Sequence, residues 1–195
     1  PRRVLGRTAT LAALESKLAD AARTIPPRRV DPEMAARVKD LVGDAVAAGA
    51  RVSVGRADGG PLMPVIVVAN ARAEMPLLTE DLFAPVISLV PAASDDDAVA
   101  AVNANPYALG AAVFGPLDAA RRIADRLEVG CVIINDVIAP TADPRLPFGG
   151  RRASGFGVTR GAEGLLEMTA VKTVSIRRGR MRQHLEPHEP GDDAI

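Results

Sequence analysis

The chain has 195 residues, 48% hydrophobic and 25% charged, the composition of a globular chain rather than a disordered one. Its 24 lysines and arginines balance 24 aspartates and glutamates, which leaves no basic footprint for nucleic acid and little long-range steering. The single cysteine, Cys131, excludes an internal disulfide and points to a reducing, cytoplasmic setting.

In chain order, Leu11, Leu14, Leu18 and Ala22 recur at helical spacing and predict a helix over residues 10–23, stopped by Ile25-Pro26-Pro27. Asp31-Pro32-Glu33 opens a second helix: the carboxylate accepts from orphan N–H groups, and proline has no N–H to lose. Met34, Val38, Leu41, Val42 and Ala45 line one face of it, and Gly49 supplies a left-handed stop. Strands follow over residues 50–54, 65–68 and 85–90. None of these apolar runs is long enough to cross a bilayer. Ser94 and Asp97 resemble a capping box that opens a helix through Val102. A strand over 111–114, a helix over 117–127 and an apolar strand over 131–134 come next. A Pro/Gly-rich stretch occupies 140–157, then a short helix 162–168 and a last strand 171–176, with Val171 and Ile176 at its ends. This alternation predicts an α/β fold with a parallel sheet and helices on both faces, followed by a C-terminal β arm.

Few side chains have the company that chemistry needs. Cys131 lies in Gly130-Cys131-Val132-Ile133-Ile134, an apolar strand that offers a thiolate neither stabilisation nor access, so it reads as a packing residue. His184 and His188 have metal-like helical spacing, but Pro187 breaks that helix, and no metal site is expected. Arg177, Arg178, Arg180 and Arg182 lack interleaved aromatics and read as a solvated or subunit-facing arm. Gly149, Gly150, Gly155 and Gly157 match no phosphate-loop spacing and read as loop geometry. Residues 95–97 suit a helix start. Glu80-Asp81 is different, because Leu82-Phe83-Ala84-Pro85-Val86 follows it. A carboxylate and an aromatic ring at the mouth of a strand offer a polyol such as ribose one acceptor and one apolar face.

Four segments together resemble the aldehyde dehydrogenase family, in the C-terminal portion of its catalytic domain. They are Glu80 to Val86, Asn105-Pro106-Tyr107-Ala108-Leu109-Gly110 with Ala111 to Phe114, Gly130 to Asn135, and Pro147-Phe148-Gly149-Gly150 with Ser154-Gly155-Phe156-Gly157. Their order and spacing agree with the family over residues 2–177, and Asn135-Asp136-Val137-Ile138 is more similar to its fatty- and aromatic-aldehyde branch. The resemblance implies a cysteine thiolate that attacks an aldehyde, hydride transfer to NAD or NADP, and release of a carboxylic acid by activated water.

Residue by residue, the resemblance places Asp81, where the family has glutamate, and Phe83 beside the nicotinamide-side ribose, and makes Phe148 and Asn135 active-site wall; Ala84 replaces the usual glycine. No catalytic residue is expected in this chain. Pro1-Arg2-Arg3-Val4 is similar to the continuation of the nucleophile segment, so the cysteine, the general-base glutamate and the cofactor domain are expected upstream, and the chain alone is expected to be inactive. Residues 1–170 are read as the partial catalytic domain and 171–195 as an oligomerisation strand and tail that makes a homo-oligomer. The alternatives are a non-catalytic assembly relative of the same fold and an unrelated Rossmann-like binding domain.

Overall fold

The computed structural model describes residues 2–137 and 142–176. Its main sheet has four strands in the order β1-β6-β5-β3: β1 is Arg3–Gly6, β6 is Val86–Pro91, β5 is Ile66–Ala69 and β3 is Arg51–Val54. β1 and β5 both run parallel to β6. β3 runs antiparallel to β5, with an irregularity between Val52 and Val54, so the expected parallel sheet carries one antiparallel edge strand. The connection over 55–65 contains no helix, and a parallel return needs a crossover of a dozen or more residues.

The strands alternate in the way that burial on both faces demands. Ile66 and Val68 join Val86, Val90, Leu77 and Leu78 beneath helix α2, Pro32–Ala47, which contributes Ala35, Val38, Leu41, Val42 and Ala45. Val67, Ala69 and Leu89 face the other way, against Leu11, Leu14 and Leu18 of helix α1, Thr8–Ala22. α2 begins as expected: the Asp31 carboxylate accepts from the backbone N–H groups of Glu33 and Met34. Gly49 follows the helix with φ +100°.

Short elements complete the description. A two-strand ladder joins β2, Arg28–Arg29, to β4, Leu62–Met63. Helix α3 is Pro76–Thr79, and α4, Asp95–Asn103, is capped by Ser94, whose hydroxyl accepts from Asp97 N–H at 3.0 Å. β7, Tyr107–Ala108, pairs antiparallel with β10, Arg151–Arg152. β8, Gly110–Val113, and β9, Cys131–Ile134, form a separate parallel pair, packed against α5, Leu117–Ala124. α5 ends three residues before the expected boundary at residue 127. Helix α6 is Gly161–Leu166.

Residues 171–176 pair with no strand among the described residues. Val171, Val174 and Ile176 are 97%, 69% and 75% exposed. Ile138, Arg177, Arg178, Arg180, Arg182, His184 and His188 lie outside the described residues. Among the described residues no helix is long and apolar enough to cross a membrane, and no cluster of three metal-ligating side chains occurs.

Candidate active site

The loop between α3 and β6 carries the carboxylate and ring singled out in the sequence. α3 is held by buried Leu77 and Leu78, and Glu80 leaves it in an extended conformation. Leu82 is buried and pins the loop to the core, while Asp81 and Phe83 on either side of it point to solvent. Phe83 is 81% exposed. Asp81 pairs with Arg2 at 3.7 Å (Oδ1 to Nη1), and its side chain remains half exposed. Arg2 comes close because β1 and β6 are parallel neighbours whose first residues lie at one end of the sheet.

Phe148 sits at the start of the glycine-rich loop. Its backbone exchanges two hydrogen bonds of 2.8 Å with Thr159, and its carbonyl also accepts from the Thr159 hydroxyl at 3.1 Å. Phe148, Gly149, Gly150, Phe156, Gly157, Val158, Thr159 and Glu167 line a concavity of roughly 430 Å³. Phe83 is not among its lining residues. Arg160 stands 6.0 Å from the centroid of the Phe148 ring, at the outer limit of a cation–π contact.

The turn over residues 105–108 connects the two regions. Buried Asn105 donates from Nδ2 to the Leu78 carbonyl at 3.0 Å, two residues before Glu80, and its Oδ1 accepts from Tyr107 N–H. On its other side, Ala108 N–H donates to Ser154 Oγ at 3.0 Å, and Arg152 donates to the Asn105 carbonyl at 3.0 Å. Gly130 N–H donates to the Ala108 carbonyl, also at 3.0 Å. A Cβ on Gly130 would lie 1.7 Å from the Gly149 carbonyl oxygen. A Cβ on Gly149 or Gly150 would likewise crowd a backbone carbonyl oxygen, of Gly157 and of Ser154, whereas Gly155 and Gly157 are required by positive φ values of +98° and +80°. Three of the four segments singled out in the sequence thus meet at one turn, and the fourth, Glu80 to Val86, begins two residues after Leu78.

Asn135, at φ +58°, uses its side chain on its own chain: Oδ1 accepts from Gly115 N–H at 2.9 Å and Nδ2 donates to the Gly115 carbonyl at 3.0 Å. Cys131 is half-buried, with Sγ 3.7 Å from the Leu109 carbonyl, and burial raises its thiol pKa. A thiol held protonated is a poor nucleophile; Cys131, expected to be a buried packing residue, is only partly buried.

Sequence reading passed over the charges behind Glu80. Arg37 of α2 grips the Glu80 carboxylate with two guanidinium nitrogens, Nε at 2.9 Å from Oε2 and Nη2 against Oε1. Arg2 Nη2 also donates to the Glu80 carbonyl. No local pattern announces a pair 43 residues apart.

The aldehyde dehydrogenase family model matches residues 11–174. A succinate-semialdehyde dehydrogenase [NADP(+)] of Deinococcus radiodurans is 40% identical over 157 residues, covering 76% of this chain and 32% of that protein. The cytosolic aldehyde dehydrogenase 1 of Rattus norvegicus is 31% identical over 153 residues, 76% of this chain and 30% of its own length. Among solved structures, a mutant of aldehyde dehydrogenase C from Pseudomonas syringae, in complex with NAD+ and octanal, superposes with a TM-score of 0.74 at 29% identity, over 86% of this chain and 38% of that one. A salicylaldehyde dehydrogenase from Pseudomonas putida gives 0.82 over 97% of this chain and 40% of that one; at 23% identity it shows a shared fold. The chain spans about a third of the length of the curated relatives it matches. By sequence and fold alike, it belongs to the aldehyde dehydrogenase family.

Proposed function

We propose that this chain is the C-terminal part of the catalytic domain of an NAD(P)+-dependent aldehyde dehydrogenase. The reaction oxidises an aldehyde to a carboxylic acid through a cysteine thiohemiacetal, with the nucleophile and general base supplied from outside the chain. The observation that carries this reading is the hydrogen-bonded turn at 105–108, which ties the base of the Asp81 and Phe83 loop to the loop of Phe148.

The residues present fit the nicotinamide half of NAD or NADP. Asp81 offers a half-exposed carboxylate that can accept from paired ribose hydroxyls, and Phe83 offers an open ring face two residues on. Buried Leu82 holds both in place. When bound, the cofactor supplies the hydride acceptor. Phe148 lines a concavity with an apolar wall for the aldehyde chain; Asn135, assigned to the active-site wall in this reading, orders Gly115 at the ends of β8 and β9 and is not among the residues that line that concavity. Cys131 takes no part in the chemistry. The Pseudomonas syringae relative was solved with NAD+, and the Deinococcus relative is named for NADP(+); either cofactor is compatible with Asp81 and Phe83.

Residues 171–176 serve assembly in this reading: the segment exposes Val171, Val174 and Ile176, pairs with no strand among the described residues, and completes its backbone hydrogen bonds by joining the sheet of a second copy. The lone, protonated Cys131 suits a reducing cytoplasm.

The test is the DNA upstream of Pro1. An in-frame cysteine codon within a few positions is expected, and an in-frame stop codon there would overturn the catalytic reading in favour of a non-catalytic relative. Titration of the 195-residue chain with NAD+ in a calorimeter is expected to show no binding, because the adenosine half of the cofactor is held elsewhere.

A further inference from the structure

Two arginines from separate elements converge on Glu80. Arg37 projects from α2, a helix fixed on the sheet by Val38 and Leu41, which are almost fully buried. It meets both oxygens of the Glu80 carboxylate, in the fork geometry that a guanidinium provides and an ammonium does not. Arg2, just before β1, reaches the Glu80 carbonyl with one nitrogen and lies 3.7 Å from Asp81 with the other. The loop that begins at Glu80 is therefore held through its side chain from one direction and its main chain from another. Only beyond this double hold do Asp81 and Phe83 emerge into solvent.

The Arg37 and Glu80 side chains are 48% and 37% exposed, and ion pairs so placed contribute little to global stability. Their geometric consequence is larger. With no partner for the Glu80 carboxylate, the start of the loop keeps only the hold of Arg2 on its main chain and the burial of Leu82, and the carboxylate and ring of Asp81 and Phe83 lose part of their common orientation. Sub-ångström placement matters wherever a bound group must present one face to a reacting atom.

We propose that Arg37 is a positioning residue for cofactor binding, acting through Glu80 to orient Asp81 and Phe83, with Arg2 as the second hold. This rests on the reading of Asp81 and Phe83 given under Proposed function. Arg37 touches neither cofactor nor substrate in this role, and the fork to Glu80 is the whole of its action.

The test uses the complete enzyme and measures the Kd for NAD(P)+ by calorimetry beside the thermal midpoint. Arg37→Met is expected to weaken binding about tenfold while the midpoint moves by no more than about 2 °C. Arg37→Lys, which keeps the charge and loses the fork, is expected to fall between wild type and Arg37→Met. The exchange of Arg37→Glu with Glu80→Arg is expected to recover most of the affinity lost in either single variant, a rescue that simple loss of packing does not give. Should Arg37→Met fail to fold, Glu80→Gln interrupts the same pair with almost no change of shape, and a severalfold weakening is expected. An unchanged Kd in Arg37→Met or Glu80→Gln, with Asp81→Asn weakening binding, overturns the clamp and leaves the site reading standing. An unchanged Kd in both Asp81→Asn and Phe83→Ala overturns the site reading, and the clamp with it.

Discussion

Asn135 holds Gly115 by both faces of its backbone, accepting from the N–H at 2.9 Å and donating to the carbonyl at 3.0 Å. The amide thereby continues the β8–β9 ladder beyond its last register pair, Val113 with Ile134. It does so from a left-handed backbone at φ +58°, a region that asparagine tolerates better than most residues. Asn135→Ala removes both bonds and places a Cβ-bearing residue without local compensation at that φ, for an expected loss of about 2 kcal/mol. Asn135→Gly loses the bonds but fits the backbone, for about 1 kcal/mol. Urea denaturation of the two variants distinguishes the contributions. Equal losses would show that the left-handed backbone costs nothing.

Much of this architecture is legible because its signals are local. Asp31-Pro32 marks the start of α2, Ser94 with Asp97 that of α4, and the apolar run 131–134 coincides with β9. The direction of β3 is not legible, since an alternating apolar pattern looks the same in either orientation and only the length of the connection decides. The two-residue ladders β2–β4 and β7–β10 are too short to leave a periodicity. At the site, Asp81 and Phe83 stand out through a motif, whereas Arg2 and Arg37 come from 79 and 43 residues away and are visible only once the sheet and α2 are assembled. Asn105 is an intermediate case. It belongs to a recognisable segment, yet its bond to Leu78 is a property of the fold.

Gly130 and Gly43 make opposite predictions for one substitution. A Cβ on Gly130 would fall 1.7 Å from the Gly149 carbonyl oxygen and 2.9 Å from that of Leu109, both backbone atoms. Gly130→Ala must therefore displace the loop that carries Phe148, at an expected 1–3 kcal/mol, roughly the range for overpacking. Gly43 lies exposed within α2 with nothing within 4 Å of a built Cβ, so Gly43→Ala is expected to stabilise by about 0.5–1 kcal/mol. Thermal unfolding of both variants checks the pair. A Gly130→Ala chain as stable as wild type would mean that the contact with Gly149 is slack.

Cys131 makes a prediction in pH. Burial raises its thiol pKa above the ordinary thiol value, so the folded chain keeps the proton at pH values where the unfolded chain has begun to lose it. The unfolded state then binds fewer protons, and stability falls as pH rises from the ordinary thiol value through the higher folded one. Below that window the group contributes no slope. Cys131→Ala is expected to flatten this part of the profile. Alkylation by iodoacetamide at pH 8 is expected to be slower than for free cysteine, because less thiolate is present. Alkylation faster than for free cysteine would contradict the packing role.

The unpaired segment 171–176 sets the last expectation. Val171, Val174 and Ile176 are 97%, 69% and 75% exposed, and no ladder within the described chain uses their backbone groups. A segment that exposes β-branched side chains and leaves its backbone groups without a ladder is a template for strand pairing. Light scattering of the chain is therefore expected to show dimers or larger assemblies, and deletion of residues 171–195 to shift the population towards monomer. Val174→Pro probes the same contact within the intact length, because it removes one backbone donor and fixes φ without shortening the chain. It is expected to weaken association while leaving α1, α2 and the main sheet intact by circular dichroism. A clean monomer in all three samples, each at the mass of its own chain, would remove the assembly role from this segment.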